Sequence, residues 1–277
     1  VKRIDLQPAY ILHTRPYRDT SLLVDLLTLD YGLLRAVARG ARGRASGKRA
    51  VMQAFQPLLV SLAGRGELLS LNQAEQAAPS FRLTGDRLFS GMYLNELLSR
   101  LLQAQEAHPQ IYRLYQQALV CLQQQGSLER CLRCFEFNLL LELGYGWDLR
   151  CDVLSGTELR VGACYLFDPE HGYEEVQAPV GHWPPALFLG EDLLEFAAVV
   201  SSSDVDEVSV TDDVEGALGL QSSSRYSAKR LMRQALRPHL GAKPLLSRTL
   251  FAAKSTPDRS PDHDSVSRIL PPRDNKG

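Results

Sequence analysis

The stretch SLLVDLLTLDYGLLRAVA, residues Ser21 to Ala38, sets two short apolar runs on either side of the turn-like LDYG. Similar runs lie on both sides of it. Upstream is AYILH (Ala9 to His13). Downstream are PLLVSL (Pro57 to Leu62) and ELLSLNQAE (Glu67 to Glu75), and RPYRDT, a glycine-rich basic stretch and AGRG separate the runs. Short apolar runs bounded by Gly, Pro, Asp and Ser read as strands joined by turns. Five of them in the first 80 residues predict a small closed or partly open barrel. The count suits an OB-fold, which offers a strand face and its bordering loops to nucleic acid. Leucine also builds helices, which weakens the strand reading.

From Thr84 the apolar period changes. Thr84 is placed to cap a helix, with Asp86 in its first turn and Leu88, Met92, Asn95, Leu98 and Leu102 on one face. A second helix starts near Pro109, turns Ile111, Leu114, Tyr115, Ala118, Leu119 and Leu122 inward, and stops at Gly126. A third follows Ser127, turns Leu128, Cys131, Leu132, Phe135 and Leu139 inward, and ends at Gly144. Residues 145–185 read as irregular. Helical patterning returns at Pro185 to Val200 and again at Arg225 to Leu240. The fold class is therefore α+β, a five-stranded barrel over 1–80 followed by a mainly helical domain over 81–250. The tail over 251–277 has too little apolar surface to offset its ordering entropy and is expected to be disordered.

A net charge of -1 conceals strong segregation. Residues 1–65 carry eleven Lys/Arg against four Asp/Glu, residues 168–215 carry thirteen Asp/Glu and no Lys/Arg, and residues 225–254 carry eight basic residues and no acidic one. Two basic regions can attract a polyanion that the overall charge would not suggest. No run approaches the ~18 to 20 apolar residues of a membrane helix. The first residues lack the apolar core of a signal peptide, and five cysteines without an export signal suit reduced thiols. The expectation is a cytoplasmic protein.

The densest basic stretch is RAVARGARGRASGKRA, Arg35 to Ala50. It superficially resembles a phosphate loop. But only three residues separate Gly43 from Gly47 where the nucleotide-binding pattern needs four, and Arg49 stands in the place of the magnesium-binding Ser/Thr. Two readings remain. Arg35, Arg39, Arg42, Arg44, Lys48 and Arg49 clamp a nucleic-acid backbone, with Tyr10, Tyr17 and Tyr31 as stacking platforms, or they are a solvated basic loop. A second stripe, Arg225, Lys229, Arg233 and Arg237, repeats every four residues along the last helix. It either grips a second strand or pairs with the acidic 168–215 segment.

The remaining chemistry is sparse. Cys131 and Cys134 form a C-x-x-C, and Cys151 and Cys164 bring the count to four. Cys131, however, lies on an inward helical face rather than in a zinc knuckle, so no metal is expected. No H-E-x-x-H and no G-x-S-x-G occurs, which argues against an enzyme. No cofactor is expected either.

With these residues in view, the chain resembles the RecO family of bacterial recombination mediators over residues 8–250. The resemblance rests on YILHTRPYRDTSLLVDLLTLDYGLLRAVARGARGRAS, FQPLLVSLAGRGEL, YLNELLSRLL, LELGYGWDL and HLGAKPLLSR, in that order. It implies an OB-fold followed by a helical domain, and binding of single- and double-stranded DNA with annealing of complementary strands. It also implies work with RecR and help in loading RecA onto DNA coated by single-strand-binding protein (SSB). The acidic C-terminal tail of SSB would meet the helical domain, with Arg133 in LRCFE as the arginine it reaches. Read from its residues alone, Arg133 is a helix-surface charge. Some members carry a four-cysteine zinc module after LGY. Here only Cys151 matches its first position and Leu154 stands at the second, so the chain resembles the metal-free branch. An RNA-binding OB protein, a nucleotide hydrolase and a scaffold for acidic protein tails are the rival readings.

Overall fold

The structure is a computed structural model that describes residues 2–43, 51–124, 126–202, 222–241 and 243–247. The expected positions Arg44, Lys48 and Arg49, the part of the acidic stretch beyond Ser202, and the tail from 248 onward lie outside the described residues.

Five strands, β1 (Lys2–Tyr17), β2 (Ser21–Thr28), β3 (Gly32–Ala38), β4 (Leu58–Gly64) and β5 (Leu68–Gln76), close a barrel in the order β1-β2-β3-β5-β4. A parallel β3–β5 pairing of three residues, Arg35 to Val37 against Leu68 to Ser70, joins its two halves. β1 pairs with both β2 and β4 along its sixteen residues, and register shifts between Ile4 and Gln7 and between Ile11 and His13 let it bend from one partner to the other.

The leucine-rich strands make sense once their two faces are separated. Ala9, Ile11, Val24, Leu26, Leu34 and Ala36 fill the barrel interior with Val60, Leu62 and Leu69. The alternate positions Tyr10, Leu12 and Leu27 belong to the helical core outside it. A strand buried on both faces has no polar alternation to show, so SLLVDLLT reads as continuous apolar sequence.

Outside the barrel lie α1 (Gly85–Leu101), α2 (Pro109–Gln123) and α3 (Leu128–Glu142). Pro109 opens α2, and the Ser127 hydroxyl accepts from Arg130 N–H to cap α3. Thr84 holds the N-cap position of α1 without a side-chain cap. The buried side of α1 also differs from the sequence reading. Met92 is exposed, and Tyr93, Leu94 and Leu97 are buried with Leu98 and Leu102. α1 touches β1, α2 and the last helix, so its buried surface is wider than one stripe.

Residues 145–185, expected to be irregular, contain most of a second sheet. β6 (Cys164–Asp168) and β7 (Gly172–Val176) form a hairpin, and β8 (Leu187–Leu189) pairs on the other side of β6. α4 (Gly190–Ser201) follows directly, and α5 (Ser222–Leu240) packs on α3 and α4. Among the described residues no helix is long and apolar enough to cross a membrane.

Two contacts lock the barrel to the helices. Tyr115 Oη donates to Asn95 Oδ1 at 2.6 Å, and Asn95 Nδ2 donates to the Leu12 carbonyl in β1 at 3.1 Å. Gly32 ends the LDYG turn at φ +61°, where a Cβ would stand 1.6 Å from the Glu106 carbonyl oxygen. Only glycine allows that approach.

Candidate nucleic-acid interface

The end of β1, the start of β2, the end of β3 and the start of β5 meet at one rim of the barrel. They border a half-open cavity of about 380 Å³ lined by Tyr17, Arg18, Thr20 and Ser21 from the β1–β2 side. Val37, Arg39 and the run Leu68 to Ser70 line the opposite side. Turn chemistry shapes it. Arg18 takes φ +52° in the three-residue turn, and its guanidinium lies 5.3 Å from the Tyr17 ring centroid. The β3–β4 connection is tied to the same turn: Arg42 N–H donates to the Thr20 carbonyl at 2.9 Å and Arg42 Nη1 to the Arg18 carbonyl at 3.2 Å.

The rim therefore presents Arg18 and Arg39 around a cavity of mixed, mainly polar lining, with a tyrosine ring among its walls. Cations that meet phosphate beside a ring that can stack on a base are the two components of single-strand binding. The position, between the first hairpin turn and the start of the last strand, is where OB barrels receive oligonucleotides.

The expected cations divide into classes. Arg39 and Arg42 are exposed at the rim. Arg35 instead lies across from Asp25 on β2, donating through Nε to Oδ1 at 2.7 Å, and His13 Nδ1 is 3.8 Å from the other carboxylate oxygen. Part of its charge is already answered. Of the three expected tyrosine platforms, Tyr17 reaches the cavity. Tyr10 is fully buried, 5.4 and 5.2 Å from the rings of Tyr112 and Tyr115, and burial pushes its phenol up to about 12. Tyr31 is half-buried under the Lys2 ammonium. Arg18 escaped the sequence reading because it stands outside the dense basic run; its place in the turn before β2 was the available signal.

On α5 the stripe is real but uneven. Arg233 and Arg237 are exposed and have no acidic partner among the described residues. Lys229 pairs with Glu129 of α3 at 3.4 Å, so its partner comes from outside the acidic 168–215 segment. Arg225 is exposed. That acidic segment contacts α5 through serines: Asp192 accepts from Ser224 at 2.8 Å and from Ser227 at 2.6 Å.

Arg133 corrects the residue-level reading most sharply. It is 5% exposed, and its Nη2 donates to Glu136 Oε1 at 2.8 Å. Tyr93 Oη of α1 donates to the same oxygen at 2.6 Å. Arg133 Nε has no hydrogen-bond partner among the described residues. The helix-surface charge is in fact a buried ion pair. Glu136, one turn along, was the visible sign, since an i, i+3 pair of opposite charge on one face is a unit.

Cys131 and Cys134 face different neighbours. The first donates toward the Ala118 carbonyl at 3.6 Å and the second toward the Val199 carbonyl at 3.8 Å. No group of three or more His, Cys, Asp or Glu among the described residues is arranged to hold a metal.

Comparison with known proteins agrees with this architecture. Residues 5–80 match the family model for the recombination protein O N-terminal region, and residues 82–249 match the model for its C-terminal region. The chain is 44% identical over 245 residues to the DNA repair protein RecO of Stutzerimonas stutzeri, covering 88% of this chain and 92% of that one. It is 41% identical over 253 residues to the DNA repair protein RecO of Cellvibrio japonicus, covering 91% and 99%. The corresponding protein of Haemophilus influenzae is 38% identical over 247 residues, covering 89% and 95%.

Proposed function

The chain belongs to the recombination protein O family, and from that premise we propose that it serves DNA repair by recombination as a non-enzymatic DNA-binding mediator. Barrel and helices act as two domains: 1–80 holds one DNA strand, and 81–250 meets partners and, through α5, a second strand. The carrying observation is the rim cavity, which Arg18 and Arg39 line together with Tyr17. A single strand lays its phosphates along Arg39 and Arg42, which continue into Arg44, Lys48 and Arg49. Arg35 contributes less because Asp25 answers it.

A second strand meets Arg225, Lys229, Arg233 and Arg237 on α5. Neutralising both backbones lowers their repulsion and lets complementary bases pair, which requires no nucleotide hydrolysis. Double-stranded DNA is held through the same phosphate contacts. The helical domain recruits the acidic tail of SSB at Arg133. A tail carboxylate takes the role Glu136 plays in the free protein. RecR acts alongside, RecA is loaded as a consequence, and the setting is the cytoplasm.

Fluorescence anisotropy of labelled single-stranded DNA across a salt series tests the reading. The intact protein is compared with the triple variant Arg39→Glu, Arg42→Glu, Arg44→Glu. Steep weakening with salt in the intact protein and a shallow slope in the variant support it. Equal curves assign the rim to another partner, and stronger binding of an RNA strand of the same sequence favours the RNA-binding alternative.

A further inference from the structure

The cationic face of α5 also carries a large aromatic ring. Tyr226 is 68% exposed. It follows Arg225, lies one turn before Lys229 and two turns before Arg233, and so projects from the same side of the helix as the stripe. Arg230 is one turn beyond it. The Arg230 guanidinium lies 5.9 Å from the Tyr226 ring centroid and 4.3 Å from that of Phe188 in β8.

A second ring borders this face. Arg230 Nη2 donates to the Leu187 carbonyl at 2.5 Å and Gln234 Nε2 to the Pro185 carbonyl at 2.6 Å, which lays the chain leading into β8 along α5. The Leu187 N–H donates to the Pro184 carbonyl at 3.0 Å and closes a turn there. Trp183 heads that turn and is 40% exposed. Arg230 and Gln234 are thus committed to protein carbonyls, whereas Arg233 and Arg237 are exposed with no acidic partner among the described residues. Cations that can meet phosphate and rings that can meet bases share one face, the combination by which single strands are held.

We propose that Tyr226 and Trp183 are base-stacking residues, so that α5 takes a single strand with its bases turned toward the protein and releases that strand once it is paired. Each ring offers a flat face to one unpaired base, while Arg233 and Arg237 meet the phosphates alongside. In a duplex the base faces are covered by their neighbours, so the rings lose their partners and the phosphate contacts alone remain. Pairing of two strands on the protein therefore weakens its hold at this face, and the product is bound less tightly than the single strand. The inference rests on the reading that α5 meets a second strand, and it makes no use of the barrel rim.

Trp183 is one of two tryptophans in the chain, and the other, Trp147, packs against Phe137 and Phe167. Its fluorescence therefore reports on this face of the full-length protein. Oligothymidine should quench the emission, Trp183→Phe should remove the quench, and a duplex of equal length should produce little of it. Tyr226→Ala should shift the titration roughly tenfold to weaker binding, as expected for one lost stacking contact, and leave the salt slope unchanged. Tyr226→Phe, which keeps the ring, should match the parent. The rim variant Arg39→Glu, Arg42→Glu, Arg44→Glu should keep the quench, and Arg233→Glu with Arg237→Glu should abolish it. Equal quenching by single strand and duplex overturns the proposal, as does a quench that vanishes with the rim variant. Equal quenching by an oligoglutamate overturns it as well, by assigning the face to acidic protein tails. If the α5 charge variant weakens binding of a labelled strand but Trp183 emission never responds and Tyr226→Ala binds like the parent, stacking fails while α5 remains a strand-binding helix. If the charge variant also binds and anneals like the parent, the α5 reading falls and the proposal with it.

Discussion

Arg133 and Glu136 sit one turn apart on α3 and share a 2.8 Å ion pair with side chains only 6% and 1% exposed. A buried pair contributes little net stability beside an apolar replacement, yet removing one partner strands the other charge. Arg133→Ala should therefore lower unfolding stability by roughly 3–5 kcal/mol. The double variant Arg133→Met, Glu136→Leu should lose much less. Urea unfolding of the two variants measures the difference. If the pair is kept for tail recognition, the double variant folds but fails to retain an acidic peptide on a column.

The junction between barrel and helices depends on the Tyr115–Asn95–Leu12 chain of hydrogen bonds. Tyr115→Phe removes one donor and leaves Asn95 Oδ1 buried without it. The expected loss is about 1–3 kcal/mol, the cost of an unsatisfied buried acceptor. Asn95→Ala should cost at least as much and should also raise hydrogen exchange at the Leu12 end of β1. Equal exchange in parent and variant would show that apolar packing alone holds the junction.

The segment at 243–247 is fastened by α1. Glu96 accepts from the backbone N–H groups of Leu246 (2.9 Å) and Ser247 (2.8 Å), while Arg100 donates to the Pro244 carbonyl at 2.7 Å. Burial tends to raise the Glu96 carboxyl, but the hydrogen bonds from Ser247 and Leu246, with Arg100 beside it, outweigh this and hold it below its usual 4.5. A folded pKa below the unfolded one gives stability that is present at neutral pH and lost as pH falls below 4.5 toward the depressed value. Protease susceptibility of this segment should rise in that acid window, and Glu96→Gln should show the raised susceptibility already at pH 7.

At the rim, Arg18 and Arg39 stand on opposite sides of one cavity. Arg18→Glu alone should weaken single-strand binding and reduce the salt slope by about one, as expected for the loss of one phosphate contact. Tyr17→Ala should instead weaken binding with little change of slope, since stacking releases no counterion. The two readouts come from one anisotropy series.

What could be read in advance followed the range of the signals. The barrel strands were legible because Gly, Pro and Asp punctuate the runs locally, and β2 and β3 begin and end where those residues place them. α2 was legible because Ile111, Tyr115, Ala118, Leu119 and Leu122 keep one period and meet one core. Met92 was misplaced because α1 is buried on more than one side, which breaks the single-stripe assumption. The β6–β7 hairpin escaped because CYLFD and GYEEV are five residues each and the second carries two adjacent exposed glutamates, which break the apolar alternation. The cavity was only half legible: Arg39 lay in the conspicuous run, whereas Arg18 joins it only when the barrel closes.

The loop after α3 that carries Cys151 and Leu154 is held by a carboxylate. Leu154 is exposed, whereas Asp152 is buried and organises the loop. Its carboxylate accepts from Leu154 N–H (3.0 Å), Ser155 N–H (2.6 Å), the Ser155 hydroxyl (2.8 Å) and Glu175 N–H on β7 (2.5 Å). The Ser155 N–H chiefly holds the carboxyl below its usual range. One buried acceptor thus joins the loop to β7, as a metal joins its knuckles. Asp152→Asn keeps the shape but places an amide where one of two acceptor oxygens stood, so the loop loses hydrogen bonds without losing volume. It should lower Tm, and hydrogen exchange should rise at Leu154, Ser155 and Glu175 together. A chelator should leave Tm of the parent unchanged. Exchange that rises only at Ser155 would mean that the loop and β7 are held separately, and that Asp152 is a local turn residue.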